Sequence, residues 1–335
     1  MKRILFYSSV NSLELFKTQK FYQIDISILK DLGYDVLLSN RIFDSLLFWK
    51  YDILFSYFYR YSFFAALLAK CFGKKTYFTG GIDSLDSDYA SAFNYKIQAL
   101  FFKLCYWVAD SCIIVSQSDL KNIFKVSSLK KKLSYSEHVI NTKLFIADVP
   151  KEKIFTSIVW MGDEGNVVRK GVDKALQIFA ELKKIPEFVD YRFVIIGRKG
   201  EGEVLVRSII DKYNLKGSVE LKGEVSEEDK INLLKQSKYY FQLSLYEGFG
   251  LAALEALCAN NIIIHSGKGG LANPIYKEQL LFDIDNDFDS ELLKLVNKLA
   301  CFTPITSYDN LLEYYDIQRR KDDFEAIIVL SLIHI

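Results

Sequence analysis

Residues 239–266 read YYFQLSLYEGFGLAALEALCANNIIIHS. A buried-type apolar run ends in a loop with two glycines, gives way to a helix-forming stretch of Leu and Ala, and returns to a second run rich in isoleucine. That order is a strand–helix–strand unit of the kind that builds parallel sheets. Gly248 and Gly250 flank Phe249 where the first strand passes into the helix. Bare backbone N–H groups and a helix N-terminus then face out from the carboxyl edge of the sheet, which makes an anion site. Glu255 lies five residues past Gly250, in the second turn of the helix, and Glu247 lies in the loop eight positions before it. A carboxylate beside an anion and another in the loop above it suit a ligand with phosphate in the middle, ribose on one side and a sugar on the other. The plainer alternative is an ordinary strand-to-helix turn with Glu255 on a solvated face.

Working outward, the same alternation recurs through the chain. Short apolar runs fall at residues 4–7, 36–39, 53–58, 76–79 and 112–116, then at 157–161, 192–197, 219–222, 239–244 and 262–265, with helical stretches between them. The fold class expected is α/β, with two doubly wound Rossmann-like domains in tandem. With 335 residues, the chain has room for two domains of roughly 100 to 200 residues each. Pro150, inside the polar segment 148–153, is the expected boundary, because proline blocks helix continuation and linkers are polar. Ser226, followed by Asp229 three residues later, reads as a helix start. The end of the chain, 326–335, has no Asp, Glu, Lys or Arg, and reads as a last helix, a strand or a cloning artefact.

Half of the residues are hydrophobic, which excludes a chain disordered by composition. The 43 Lys and Arg against 42 Asp and Glu argue against a surface built to hold nucleic acid. Residues 1–150 nevertheless carry 19 Lys and Arg against 13 Asp and Glu, so the front half favours anions. Five cysteines without a C-x-x-C pair read as reduced thiols of a cytoplasmic protein. Three histidines with no ligand spacing leave no metal site to expect. The start of the chain reads as a first strand instead of a signal peptide, and charges break the apolar stretch 42–72, so no transmembrane helix is expected. Within it, LLFWKYDILFSYFYRYSFF, residues 46–64, reads as a buried strand and core helix, with contact to a lipid-linked acceptor as the alternative. Gly197–Gly202, GRKGEG, lacks the dinucleotide spacing, so a hydride-transfer reading has little support.

The segment around Glu247 and Glu255 resembles the donor-site signature of glycosyltransferase family 4, retaining enzymes of the GT-B fold, in which two glutamates bracket an E-G-F-G-L sequence. WMGDEGNVVRKGVDKAL, FVIIGRKGEG, VELKGEVSEEDKINLLKQSKYYFQLS and GKGGLANPI resemble four more of the family's motifs in the family's order. The resemblance implies a GT-B architecture with a cleft between its domains: residues 1–150 for the acceptor, 151–310 for the nucleotide sugar, and 311–335 returning toward the first domain. It implies that Lys170 and Arg169 clamp the donor diphosphate, that Gly250 and Leu251 hold the distal phosphate by their amides, and that Gly248 and Phe249 complete that loop. Glu255 would hold the ribose, Glu247 would act at the sugar, and Gly197 and Arg198 would line the base pocket.

Two departures stand out. Gly162 is followed by Asp163 where many members have Arg, and Asn273 replaces a common acidic residue. In the front half the glycine-rich loop after the first strand is missing, and Thr79 or Gly80 stands where members often show histidine. Gly80, Gly81 and Asp83 remain as sugar or acceptor contacts, with a plain turn as the alternative. The implied activity is metal-independent transfer of a hexose, without a cofactor, from a UDP- or GDP-sugar to a glycan or lipid-linked acceptor in surface polysaccharide synthesis. The enzyme would be cytoplasmic, with peripheral contact on the inner face of the membrane. The rival reading is a catalytically weak GT-B protein that binds nucleotide as a scaffold.

Overall fold

The computed structural model describes residues 2–128, 130–146, 149–302 and 309–329. The chain divides into two compact units: Met1–Ile140 with Tyr314–Ile335, and Asn141–Glu313. The polar segment expected as a linker, around Pro150, lies inside the second unit, and its Asp148 falls outside the described residues.

In the first unit the order is β1 (Arg3–Ser8), α1 (Leu15–Thr18), α2 (Lys20–Asp31), β2 (Asp35–Ser39), β3 (Ile53–Tyr57), α3 (Ser62–Cys71), β4 (Lys75–Thr79), α4 (Ala92–Val108), β5 (Ser111–Ile114), α5 (Gln117–Val126) and β6 (Leu133–Tyr135). The described strands form one parallel sheet in the order β2-β1-β3-β4-β5-β6. Alternate residues go to opposite faces, as a pleated strand demands. Leu5, Leu54, Phe78 and Cys112 pack under α3 and α4, while Ile4, Phe6, Phe55 and Ile113 meet α2 on the other side. Both faces are therefore covered, which is why these strands read as continuous apolar runs. β6, whose residues are half-buried and polar in part, escaped the sequence reading because it carries no such run.

The second unit contains β7 (Glu152–Ile158), α6 (Glu164–Arg169), α7 (Val172–Leu182), β8 (Arg192–Ile196), α8 (Glu203–Lys212), β9 (Val219–Gly223), α9 (Glu227–Gln236), β10 (Ser237–Gln242), α10 (Leu251–Cys258), β11 (Ile262–His265), β12 (Leu280–Leu281) and α11 (Phe288–Cys301), and it ends in α12 (Asp309–Tyr314), whose last residue already belongs to the first unit. Its sheet is also parallel, in the order β12-β11-β10-β7-β8-β9. β7 corrects the expected strand at 157–161. It begins at Glu152, whose exposed charge sits on the strand's first residues, and it ends at Ile158, leaving Trp160 exposed in the following loop. Tandem apolar residues blur a strand's end when the loop after it is apolar too.

The chain returns to the first unit through α13 (Ile317–Phe324). Arg320 and Asp25 on α2 are both fully buried and form a two-pronged pair, Nε to Oδ1 at 2.7 Å and Nη2 to Oδ2 at 2.8 Å. The remaining Arg320 nitrogen donates to the Ser136 carbonyl at 2.5 Å, and the Tyr57 hydroxyl donates to Asp25. Planar, doubly bonded geometry is what makes a buried guanidinium tolerable. Of the apolar end 326–335, Glu325–Val329 closes α13 with a π-helical turn, and residues 330–335 lie outside the described residues.

Candidate functional site

In the second unit the strand order reverses at β7, with β8 and β9 to one side and β10 to β12 on the other. The carboxyl ends of β7 and β10 therefore mark the switch point of the sheet, and the crevice outside such a point is the usual ligand position in open α/β sheets. The loop after β7 carries α6 and ends in Arg169, Lys170 and Gly171, and the loop after β10 carries Glu247 to Gly250.

The two loops are fastened together. The Leu245 amide donates to the Arg169 carbonyl at 2.8 Å. Gly171 has φ 70° and lies so close to Leu243 that a Cβ there would overlap the Leu243 carbonyl, so no other residue fits. This approach delivers Lys170 to Glu247, with Nζ to Oε2 at 2.7 Å and both side chains mostly buried. Ser244 at 3.0 Å and Gln242 at 3.2 Å donate to the same carboxylate oxygen. Arg169, expected beside Lys170, turns its guanidinium to Asn166 Oδ1 at 2.8 Å.

Gly250, at φ 89°, is the N-cap of α10, and the amides that follow open the helix. A third loop buttresses this one: the Gly270 amide donates to the Glu247 carbonyl at 2.5 Å, and a Cβ on Gly269 would overlap that same carbonyl. The glycine pair in GKGGLANPI thus keeps the loop of Glu247 in place by letting backbone lie on backbone. Asn273 caps the next turn through the Ile275 amide at 3.1 Å.

Glu255 is buried on α10, and Lys230 of α9 donates to both its oxygens, at 2.8 and 2.7 Å. Sequence reasoning missed Lys230, because nothing local couples it to a residue 25 positions away. Tyr240 of β10 lies near both glutamates. Burial first, and then the Glu255 and Glu247 charges, push its hydroxyl pKa up, opposed by the Ile158 amide. The crevice therefore gathers Lys170, Glu247, the Gly248–Leu251 loop and Glu255 around the ends of β7 and β10. Asp173, in the first turn of α7, has Oδ1 buried without a hydrogen-bond partner among the described residues, and burial pushes its carboxyl up.

Gly197 and Arg198, at the end of β8, lie against the loop after β7: the Met161 amide donates to the Arg198 carbonyl at 2.9 Å, and a Cβ on Gly197 would overlap the Val159 carbonyl. Arg198 is exposed, 3.7 Å from Glu224. In the first unit Gly80, at φ 105°, packs on Phe58 and Tyr57 at the end of β4, and Gly81 follows it. Asp83 is exposed in the next turn, which the Asp119 carboxylate holds through the Ile82 amide at 3.4 Å. The Thr79 hydroxyl, where the family often has histidine, is buried without a hydrogen-bond partner among the described residues. Among those residues no cluster of His, Cys, Asp and Glu could hold a metal ion, and no helix is long and apolar enough to cross a membrane.

Residues 165–299 match the family model described as Glycosyl transferases group 1, a region wholly inside the second unit. A GDP-mannose:cellobiosyl-diphosphopolyprenol alpha-mannosyltransferase of Xanthomonas oryzae pv. oryzae is 32% identical over 42% of this chain and 40% of its own length. A phosphatidylinositol N-acetylglucosaminyltransferase chain of Homo sapiens is 30% identical over 31% of this chain and 21% of its own. The chain thus spans well under half the length of these relatives. HepE of Anabaena, solved with UDP-glucose, superposes with a TM-score of 0.72 at 13% identity, covering 99% of this chain and 100% of HepE. Sucrose-phosphate synthase of Thermosynechococcus elongatus superposes at 0.67 and 16% identity over 99% and 98%. The fold is GT-B. Two Rossmann-like α/β units built on parallel sheets account for that likeness.

Proposed function

We propose that this chain is a retaining glycosyltransferase of family 4 that moves a hexose from a UDP- or GDP-sugar to a hydroxyl of a glycan or lipid-linked acceptor, in surface polysaccharide assembly. The observation that carries the reading is the Lys170–Glu247 pair, held at 2.7 Å beside the N-terminus of α10. A cation and a helix N-terminus meet there at one sheet edge, as a diphosphate requires. GDP-mannose in the name of one relative and UDP-glucose bound to HepE support a nucleotide-sugar donor, and the diphosphopolyprenol in that relative's name supports a lipid-linked acceptor.

In this reading the diphosphate takes over the Lys170 ammonium and the amides of Gly250 and Leu251, with Arg169 swinging in from Asn166. Glu255 accepts the ribose hydroxyls and Glu247 those of the sugar. The bond from the anomeric carbon to the phosphate oxygen breaks as the acceptor oxygen bonds to that carbon on the same face. The acceptor proton passes to the departing phosphate, giving a nucleoside diphosphate and the glycoside. No metal or cofactor is needed, because fixed positive groups meet the charge on the leaving group.

One observation favours the rival, a nucleotide-binding protein without turnover: Thr79, its hydroxyl buried, or Gly80 stands where members of the family often show histidine. Thermal shift against UDP, GDP, their sugars and NAD, followed by assay of nucleoside diphosphate release with and without EDTA, tests the proposal. A ligand at about 100 times its Kd adds roughly 2.7 kcal/mol of stability. Stabilisation by a nucleotide sugar with EDTA-resistant release is expected. Stabilisation by NAD alone, or binding without release, would overturn it.

A further inference from the structure

Helix α4 presents an unusual stripe to solvent. Phe93, Lys96, Leu100, Lys103 and Trp107 recur at spacings of three and four, which sets them on one face of the helix. All five are exposed, Phe93 by 73%, Leu100 by 56% and Trp107 by 68%. The opposite face, with Phe102 and Cys105, is spent on the core under the sheet, so the stripe is not needed for folding. Exposed apolar groups of this size, gathered on one surface, ordinarily mark a contact.

Along the stripe itself the charge has a single sign, and beyond its end Asp110 is paired with Lys70 and Lys75. Residues 89–109 contain no Asp or Glu, and neither do residues 53–82, which include α3. Lys96 and Lys103 make no ion pair among the described residues. The aromatic surface continues onto α3, where Phe64 lies 6.2 Å from Phe101 of α4, and at its far end Phe72 stacks on Phe48 at 4.3 Å, beside the exposed Trp49.

We propose that this face docks on the anionic leaflet of a lipid bilayer. Phe93, Leu100 and Trp107 enter the boundary between headgroups and acyl chains, and Lys96 and Lys103 extend their stems along them to reach lipid phosphate. Alternation of apolar and cationic residues on one helix face matches a layer in which hydrocarbon and phosphate lie side by side, and tryptophan favours that depth. A protein partner recognised through the same face would have to supply a row of acids between apolar ridges, which a bilayer supplies without design. The inference does not depend on the donor chemistry, since no residue of the second unit takes part.

The test uses the full chain and vesicles either rich in phosphatidylglycerol or made of phosphatidylcholine alone, with no nucleotide present. Co-sedimentation with the anionic vesicles only, weakening as salt is raised, is expected. Lys96→Glu with Lys103→Glu should lower the partition coefficient at least about tenfold. The control pair Lys212→Glu with Lys216→Glu, on the exposed surface of the second unit, should leave it within about twofold. Brominated lipid should quench the tryptophan fluorescence, and Trp107→Phe should remove part of that quenching. The charge variants replace exposed side chains and should keep the thermal midpoint of the parent. Failure to sediment with anionic vesicles, equal binding by the Lys96→Glu/Lys103→Glu variant, or self-association through this face without lipid binding would overturn the proposal.

Discussion

Lys170 and Lys230 each hold a glutamate of the crevice, yet they should fail differently when removed. Lys170 faces charge that would grow on the departing phosphate, so Lys170→Ala should depress kcat by about 10² to 10³ with a smaller effect on donor KM. Steady-state kinetics with the donor found by thermal shift checks this, and a kcat within about threefold of the parent, a difference of only ~0.65 kcal/mol, would remove the diphosphate role. Glu255 is buried and both its oxygens rest on Lys230. Lys230→Met takes away the ammonium that donates to both carboxylate oxygens, and losing one partner of a buried ion pair costs about 3–5 kcal/mol. Adding Glu255→Gln should recover much of the loss, since a neutral amide no longer needs the cation. Denaturant melts of the two variants read this directly, and a double variant as unstable as Lys230→Met would show that the pair is not what matters. Glu247, Glu255 and the Gly248–Gly250 loop were legible in the sequence because their spacing along one strand–helix junction fixes where they emerge, whereas Lys170, in the loop after β7, was expected there only through the family resemblance. Lys230 was not, because it sits on α9, 25 positions away, and meets Glu255 only once that helix has packed beside α10.

At the scale of elements, the crevice depends on glycines that let three loops lie on one another. Gly171 joins the loop after β7 to the end of β10: it holds φ at 70° and would put a Cβ into the Leu243 carbonyl. Gly171→Ala must either move α7 away from β10 or strain both, and the cost should exceed the ~1 kcal/mol of positive φ alone. A fall in thermal midpoint of more than about 3 °C, with Lys170 no longer protected from acylation by its contact with Glu247, is expected. A midpoint unchanged from the parent would mean that the loops are not in contact. The helix start at Ser226 shows a smaller lesson of the same kind. Ser226 caps the Asp229 amide at 3.0 Å as its position suggests, but the Asp229 carboxylate takes the Ser226 hydroxyl, at 2.7 Å, in place of the Ser226 amide.

For the whole molecule, two buried histidines set the response to acid. Burial pushes His265 down to about 4, and His138 is driven well below its ordinary value by burial and by the nearby Arg320 and Arg319. Unfolded imidazoles ionise as pH falls through about 6.5 while these two stay neutral, so the unfolded chain binds more protons. Their contribution to stability is therefore complete above about pH 6.5 and is lost as pH falls from there toward the folded values. Each should remove up to about 1.4 kcal/mol per pH unit between about 6.5 and 5. Melting curves across that range should show a falling midpoint that His138→Gln makes shallower, and a midpoint flat from about pH 7 to 5 would contradict it. At this scale the sequence by itself determined the α/β class and the alternation of parallel strands with helices, because strands buried on both faces must be apolar runs and the helices between them must be amphipathic. It also determined which residues leave the β10–α10 junction. Only the tertiary structure decided that the chain divides at Ile140, that α13 returns to α2 through Arg320 and Asp25, and that Lys230 holds Glu255. Those contacts join residues 295 and 25 positions apart. No local pattern encodes them, because the energy of a buried ion pair exists only once packing has excluded water from both partners.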